Sequence, residues 1–308
     1  MHDVLIDISE YMTQNLGIDL LAKSGALIEK IAPLFSMGFG IYVLLLVFYY
    51  YGRGLDESVL DLSKRLLGWF IVIALAFNAG AYSNLAISLY GLPEELISWF
   101  NETELNVGML SNGIKAVQDM VGSLDALAQE KPWYYVQLHG TIFAAKVVVS
   151  ICGLVLVVFA YFFYLIAKLS LALTLMVGPL FIGAMLFPSS RQYGMNWIGQ
   201  VLNYSLACLL YAVISVLQMN FVQTKMTGWA NKSYIDSVAK AWEVSYVMVV
   251  MTILFLIVVL SIPNIASALT GGASVDGHGR TMGRLGSLAT RTLSKIPVIG
   301  AANKIIGK

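Results

Sequence analysis

The sequence predicts an all-α, polytopic helical membrane protein with five, or alternatively six, transmembrane helices and an external amphipathic helical loop. Apolar residues make up 58% of the 308-residue chain and charged residues only 12%, and the mean hydropathy of +0.76 lies well above the usual soluble range. Six apolar stretches meet or nearly meet the length of about 20 residues that a helix needs to cross the hydrocarbon core. Because a backbone in lipid must satisfy its own hydrogen bonds, these stretches are predicted to be helices. They are residues 31–51, 66–90, 141–167, 169–187, 197–222 and 242–262.

The stretches divide the chain into five predicted segments. These are an N-terminal amphipathic external segment (1–30), the first two transmembrane helices (31–90), an external loop (91–140), a C-terminal transmembrane bundle (141–270) and a basic tail (271–308). The first segment is interpreted as an interfacial helix because apolar residues recur in it at helical spacing. An ordinary polar lead-in to the first span explains it equally well. The recurring residues are Leu5, Ile8, Met12 and Leu16.

The distribution of Lys and Arg predicts the orientation, because these residues mark the cytoplasmic side of a membrane protein. The turn 52–65 carries Arg53, Lys64 and Arg65, whereas the segment 91–140 carries two basic and seven acidic residues. The turn is therefore interpreted as cytoplasmic, the long segment as external and the N-terminus as external. Lys168, between two closely spaced spans, then falls on the cytoplasmic side.

The stretch 169–187 decides between five and six crossings. If it crosses fully, the tail 271–308, with six basic residues and one acidic residue, is external. If it enters and returns, or lies buried in an assembly, the tail is cytoplasmic and more basic groups lie inside. Gly178-Pro179 supplies a mechanism for the return, because proline removes a backbone donor and glycine eases a bend. We therefore favour five crossings and a cytoplasmic tail.

The external segment contains a predicted amphipathic helix at about 105–130. Its apolar residues follow alternating four- and three-residue steps, the spacing of one helical face. Two partners for this apolar face remain possible. The face is either a docking face for another chain, or it packs on the protein's own membrane surface. The face consists of Leu110, Ile114, Val117, Val121 and Leu124.

The sequence does not contain the residue patterns of an enzyme. The three histidines lie in different regions without ligand spacing, and there is no phosphate-binding glycine loop. We expect no catalytic, cofactor-binding or metal-binding residues, and no cofactor. Within the predicted spans the only charged residues are Lys146 and Glu243, both near helix ends, which argues against ion-coupled transport. An assembly component is favoured, and a small-solute channel or permease of the inner membrane is the alternative.

Uncharged polar residues support an assembly role. Asn196, Gln200 and Asn203 lie on one face of the segment that opens at Trp197, and polar side chains in lipid turn toward other helices or water. We expect these residues to hold neighbouring helices in register. Packing contacts between helices are the simpler interpretation of this polar face, and the lining of an aqueous path is the alternative.

The same region carries a family resemblance. The run from Leu173 to Ile182, with Gly178-Pro179 at its centre, is followed by Phe187-Pro188, Arg191 and Asn196-Trp197. This ordered set resembles the signature of the TrbL-type polytopic inner-membrane subunit of type IV secretion systems, the sixth component of VirB-like machinery. Ile262-Pro263-Asn264-Ile265-Ala266 resembles the last span of that family. The resemblance covers approximately residues 31–275.

The resemblance implies a non-enzymatic subunit of the Gram-negative inner membrane, with a periplasmic N-terminus, five crossings and a cytoplasmic C-terminus. It implies a homo-oligomer, a pentamer, at the base of the conjugative pilus. The implied partners are the minor and major pilins, the bitopic inner-membrane subunit, the assembly ATPase, membrane lipid and single-stranded DNA in transit. The assembly residues expected from the resemblance and from the polar face together are Gly178, Pro179, Phe187, Pro188, Asn196, Trp197, Gln200 and Asn203.

Overall fold

A computed structural model describes residues 11, 19–51, 59–100, 107–129, 135–230 and 238–270. Every regular element in this part of the chain is a helix, which confirms the predicted fold class. The helices are α1 (Asp19–Tyr51), α2 (Val59–Ala76), α3 (Ala79–Phe100), α4 (Val107–Gln129), α5 (Val136–Met176), α6 (Gly178–Ala184), α7 (Arg191–Phe221), α8 (Thr227–Trp229) and α9 (Val238–Leu269), with a π-helical turn, Val222–Met226, between α7 and α8.

Within the described residues, four helical stretches are long and apolar enough to cross a membrane, and a fifth is formed if α2 and α3 count as one bent span. The four are Lys23–Tyr49, His139–Met176, Arg191–Trp229 and Ala239–Leu269. The bent pair turns by 80° between Ala76 and Ala79. At the bend the Asn78 side chain accepts a hydrogen bond from the Ala81 amide (3.1 Å) and so caps α3.

The stretch 169–187 is not a separate span, and the prediction that Lys168 lies between two closely spaced spans is wrong. The helix α5 continues through Lys168 to Met176, a length of 41 residues or roughly 60 Å. Lysine is a good helix former and no proline occurs between Val136 and Pro179, so nothing ends the helix earlier. Residues 169–176 form its last turns, and Gly178–Ala184 is a short helix of its own.

The charge-based topology also needs correction at Glu94. The loop predicted from residue 91 does not begin there, because α3 continues through Pro93 to Phe100. The Glu94 carboxylate lies in contact with the Lys168 ammonium group. The two residues were assigned to opposite sides of the membrane, and a contact between them excludes that assignment. A count of Lys and Arg along the sequence does not reveal a basic residue that forms an ion pair with an acidic residue of another helix.

The buried side chains form two hydrophobic clusters. The first joins α4, α5, α7 and α9 and includes Met120, Val149, Val157, Met219 and Met248. The second joins α1 and α3 to the last turns of α5 and the first turns of α7, and includes Ile28, Tyr82, Leu175 and Trp197. The second cluster surrounds the break between α5 and α6.

Two predictions fall on parts of the chain outside the description. The interfacial face of Leu5, Ile8, Met12 and Leu16 lies outside the described residues, and so does the basic tail 271–308.

Candidate functional site

The break between α5 and α6 lies at Gly178-Pro179, where the sequence predicts it. Pro179 has no amide hydrogen, so the carbonyl of Leu175, four residues earlier, loses its helical donor. The Leu180 amide bonds instead to the Val177 carbonyl (3.2 Å) and starts the next helix. The last turn of α5 therefore presents carbonyl oxygens that need other donors.

Two aromatic side chains from other helices supply those donors. The Tyr82 hydroxyl on α3 donates a hydrogen bond to the Leu175 carbonyl, and the Trp197 indole nitrogen on α7 donates one to the Thr174 carbonyl at 2.8 Å. Tyr82 is fully buried and Trp197 nearly so. The Leu175 carbonyl also accepts a backbone N–H at the end of α5, so Tyr82 supplies it with a second donor. Both bonds place polar groups in contact with one another in an apolar environment, where an unpaired polar group would be costly. The break is thus a junction of three helices.

Glycine at position 178 is required by this junction. A Cβ atom there would lie 2.6 Å from Trp197 Cζ2 and would also overlap the Tyr82 hydroxyl. A second glycine, Gly194 on α7, lets that helix approach the other side of α6, where a Cβ atom would lie 2.9 Å from the Phe181 carbonyl oxygen. Gly178 was predicted as a site residue because Pro179 follows it, whereas Gly194 was not predicted.

The other predicted assembly residues do not form one contact set. Phe187 packs beside Phe35 and Tyr42 of α1, with ring centroids 6.4 and 5.9 Å apart, whereas Pro188 is exposed. Asn196 is exposed and accepts a hydrogen bond from Gln192 (2.9 Å).

The remaining two predicted polar residues lie further inside. Gln200 is half-buried, and Asn203 is buried with a side-chain oxygen that accepts no hydrogen bond from the described residues. Of the predicted polar face, only Asn203 is fully inside the bundle.

The predicted amphipathic helix is present as α4, and its apolar face is covered by the protein itself. Ile114, Val117 and Leu124 are buried in the first hydrophobic cluster, and Val121 is half-buried. The side chain of Leu110 lies outside the description. This cover, formed by other helices of the same chain, is neither the partner chain nor the membrane surface that the sequence left open. Docking of another chain on this face would require α4 to leave its groove.

A charged cluster between α3 and α5 was not predicted from the sequence. Oε1 of Glu94 accepts a hydrogen bond from the Tyr164 hydroxyl (2.6 Å) and contacts Lys168 Nζ. The Lys168 ammonium group lies 4.8 Å from the centre of the Tyr90 ring, a cation–π distance. The available signal was the pair Tyr164 and Lys168, four residues apart on one helical face inside an otherwise apolar run.

Neither site has the groups of a catalytic centre. Within the described residues, no group of three or more His, Cys, Asp or Glu side chains is placed to hold a metal ion. The hydroxyl, indole, carboxylate and ammonium groups are engaged with one another or with backbone carbonyls. These hydrogen bonds and the ion pair join the helices to one another.

Comparison with curated proteins finds no match. The sequence does match the family described as TrbL/VirB6 plasmid conjugal transfer protein over residues 39–262, well over half of the chain. The matched range includes the bent pair α2–α3, the helix α4, the junction at Gly178-Pro179 and most of α9. A multi-helical membrane architecture agrees with a component of transfer machinery. The chain belongs to the TrbL/VirB6 family and is a component of a conjugal transfer, or type IV secretion, apparatus.

Proposed function

We propose that this protein is a non-enzymatic inner-membrane subunit that acts as scaffold and platform for pilus assembly and lines part of the translocation path. The observation that carries the proposal is the junction at Gly178-Pro179. There Tyr82 and Trp197 fix α3 and α7 to the end of α5 through buried hydrogen bonds. Satisfied buried polar contacts specify one arrangement of helices, as a scaffold requires.

The proposal includes the setting and the partners of the protein. It works as a homo-oligomer, a pentamer, in the inner membrane of a Gram-negative bacterium, with a periplasmic N-terminus and a cytoplasmic C-terminus. Its partners are the minor and major pilins, the bitopic inner-membrane subunit and the assembly ATPase. Lipid surrounds it, and single-stranded DNA contacts it in transit. Membership in the conjugal transfer family supports this setting.

The direct test is conjugative transfer from a donor in which the gene is deleted in frame and then restored in trans. We expect deletion to abolish both transfer and pili, and the complementing copy to restore both. Unchanged transfer and pili, in a donor known to use this copy, would contradict the proposal.

A second experiment tests whether the break itself is needed. Pro179→Leu restores an amide donor, which can bond to the Leu175 carbonyl in competition with Tyr82. We expect loss of transfer with normal membrane insertion. Pro33→Leu is the matched control, because Pro33 also lies inside a helix, α1, but is exposed, and its transfer should equal that of the wild type. Wild-type transfer by Pro179→Leu would remove the break from the proposal.

The second candidate function is a small-solute channel or permease. It is favoured by the buried side-chain oxygens of Asn203 and Gln218 on α7, which accept no hydrogen bond from the described residues. Such acceptors are often satisfied by water. This function predicts solute uptake or conductance by the purified protein alone in liposomes. The scaffold function predicts neither without the other subunits.

A further inference from the structure

The helix α4 lies alongside the most apolar part of α5, and three contacts fix the register between them. A Cβ atom on Gly113 would lie 3.2 Å from Val157, and one on Gly153 would lie 2.9 Å from Val117. Moving four residues forward along α4 therefore moves four residues back along α5. The helices are antiparallel, and the absence of a side chain on each glycine lets them approach closely.

The third contact extends this register to the far end of α4. Lys146 Nζ lies 2.7 and 2.8 Å from the two carboxylate oxygens of Asp125. Residues 113–125 of α4 thus lie at the level of residues 146–157 of α5. That part of α5 belongs to the candidate span His139–Met176.

The neighbours of α4 expose apolar side chains at this level. On α5 these include Phe143, Ile151 and Phe159. On α9 they include Tyr246 and Ile253, and α9 is placed at the same level because Ser245 Oγ lies 3.5 Å from the Ala145 carbonyl oxygen. Apolar surfaces of this kind on two long helices indicate contact with lipid.

The outward face of α4 at the same level is polar. The exposed residues follow three- and four-residue steps along one side of the helix, opposite the buried apolar face. They are Asn112, Lys115, Gln118, Asp119 and Gly122.

This face cannot lie against lipid. Asp119 is near the middle of α4, roughly 15 Å from either end. Its short side chain cannot extend to the headgroups as a lysine can, and a carboxylate in hydrocarbon is strongly unfavourable. The α4 polar face at this depth must therefore meet water or protein.

We propose that the α4 polar face lines a water-filled path at membrane depth, so that α4 is an amphipathic membrane-embedded helix and not an external one. Water fits this face better than a protein partner does. The face offers no aromatic or large aliphatic side chain that could serve as a binding anchor. The inference deepens the proposed role in translocation by naming the surface that faces the path.

Cysteine accessibility tests the proposal in the full-length protein in membranes. Cys152 and Cys208 are first replaced by alanine. Lys115→Cys, Asp119→Cys and Gly122→Cys then report on the α4 polar face. Ile151→Cys and Ile253→Cys are the matched controls, because they lie on the exposed apolar faces of α5 and α9. The probe is a charged, membrane-impermeant methanethiosulfonate reagent, which reacts with thiolates in water.

We expect the α4 cysteines to react at least about tenfold faster than the two controls, because a thiolate forms readily only where water solvates it. Equally fast reaction at all five positions would place this part of the protein outside the membrane and overturn the proposal. Absence of reaction on α4 would show that lipid or protein covers the face and would overturn it as well.

The outcome is separable from that of the proposed function. Fast labelling of the α4 cysteines, combined with unchanged transfer after gene deletion, would support the water-filled path and contradict the transfer role. Loss of transfer on deletion, with an unreactive α4 polar face, would reject the path and keep the transfer role.

Discussion

The hydroxyl of Tyr82 bonds to the carbonyl of Leu175, the oxygen that Pro179 leaves without its helical donor. A proline in a membrane helix is tolerated where side chains of neighbouring helices satisfy the freed backbone group. Here the donor comes from α3, and Trp197 of α7 satisfies the adjacent carbonyl of Thr174. The break is therefore stabilised by tertiary contacts, and its geometry depends on the positions of two other helices.

Tyr82→Phe tests this dependence with little change in volume. The substitution removes the side-chain donor from a buried carbonyl that also accepts a backbone N–H at the end of α5, and loss of a hydrogen bond of this kind costs about 0.5–1.5 kcal/mol. We expect a lower thermal unfolding temperature of the purified protein in detergent. Tyr193→Phe is the control, because Tyr193 is exposed, and its unfolding temperature should not change. Equal stability of the Tyr82→Phe protein and the wild type would show that the bond contributes nothing.

Gly178→Ala tests the close approach at the junction. The added methyl group would overlap the Tyr82 hydroxyl and lie 2.6 Å from Trp197 Cζ2, and overpacking of this kind costs about 1–3 kcal/mol. We expect reduced thermal stability and reduced transfer. Gly91→Ala on α3 is matched, because no atom lies within 4 Å of its Cβ position. In that helix interior alanine should be neutral or stabilising by up to about 1 kcal/mol. A Gly178→Ala protein as stable as Gly91→Ala would contradict the geometry.

The ion pair between Glu94 and Lys168 predicts that the single substitutions of its two residues lower stability by different amounts. Glu94→Gln leaves the ammonium group of Lys168, only 12% exposed, without its counter-charge, whereas Lys168→Met leaves a carboxylate that is 41% exposed. Glu94→Gln should therefore be the more destabilising, by about 3 kcal/mol or more, and the double variant should recover part of the loss.

Thermal unfolding of the single and double variants measures this coupling. The pair Asp125 and Lys146 is the control, because its side chains are 47% and 33% exposed, and a pair of that kind contributes about 1 kcal/mol or less. Additive effects of Glu94→Gln and Lys168→Met would mean that the two charges do not interact.

Local signals in the sequence predicted part of this structure. Long apolar runs indicated the membrane helices, the periodicity of Ile114, Val117 and Leu124 indicated α4, and Gly178-Pro179 indicated the break. Each of these features follows from neighbouring residues along the chain. The capping of Leu175 by Tyr82 does not, because the two residues are 93 positions apart.

The errors have the same physical origin. Lys168 was placed between two spans because it is a lone charge between apolar stretches, but Glu94 and the ring of Tyr90 stabilise that charge inside a helix. The 80° bend escaped prediction although Asn78 is a favourable residue at a helix N-terminus. A capping residue inside an apolar run is a weak signal until the rest of the fold requires a bend there.

The covered face of α4 changes what a charge at Val117 is expected to do. Val117 is buried, and its Cγ2 atom lies 2.9 Å from the Cβ position of Gly153. Val117→Asp buries a carboxylate without a partner, which costs several kcal/mol, so we expect α4 to detach from α5 and the unfolding temperature to fall. Gln118→Asp adds the same charge to the exposed face and should leave stability unchanged. Limited proteolysis of the two variants in membranes would detect a detached α4. Equal resistance of both would show that α4 is held by contacts other than its apolar face.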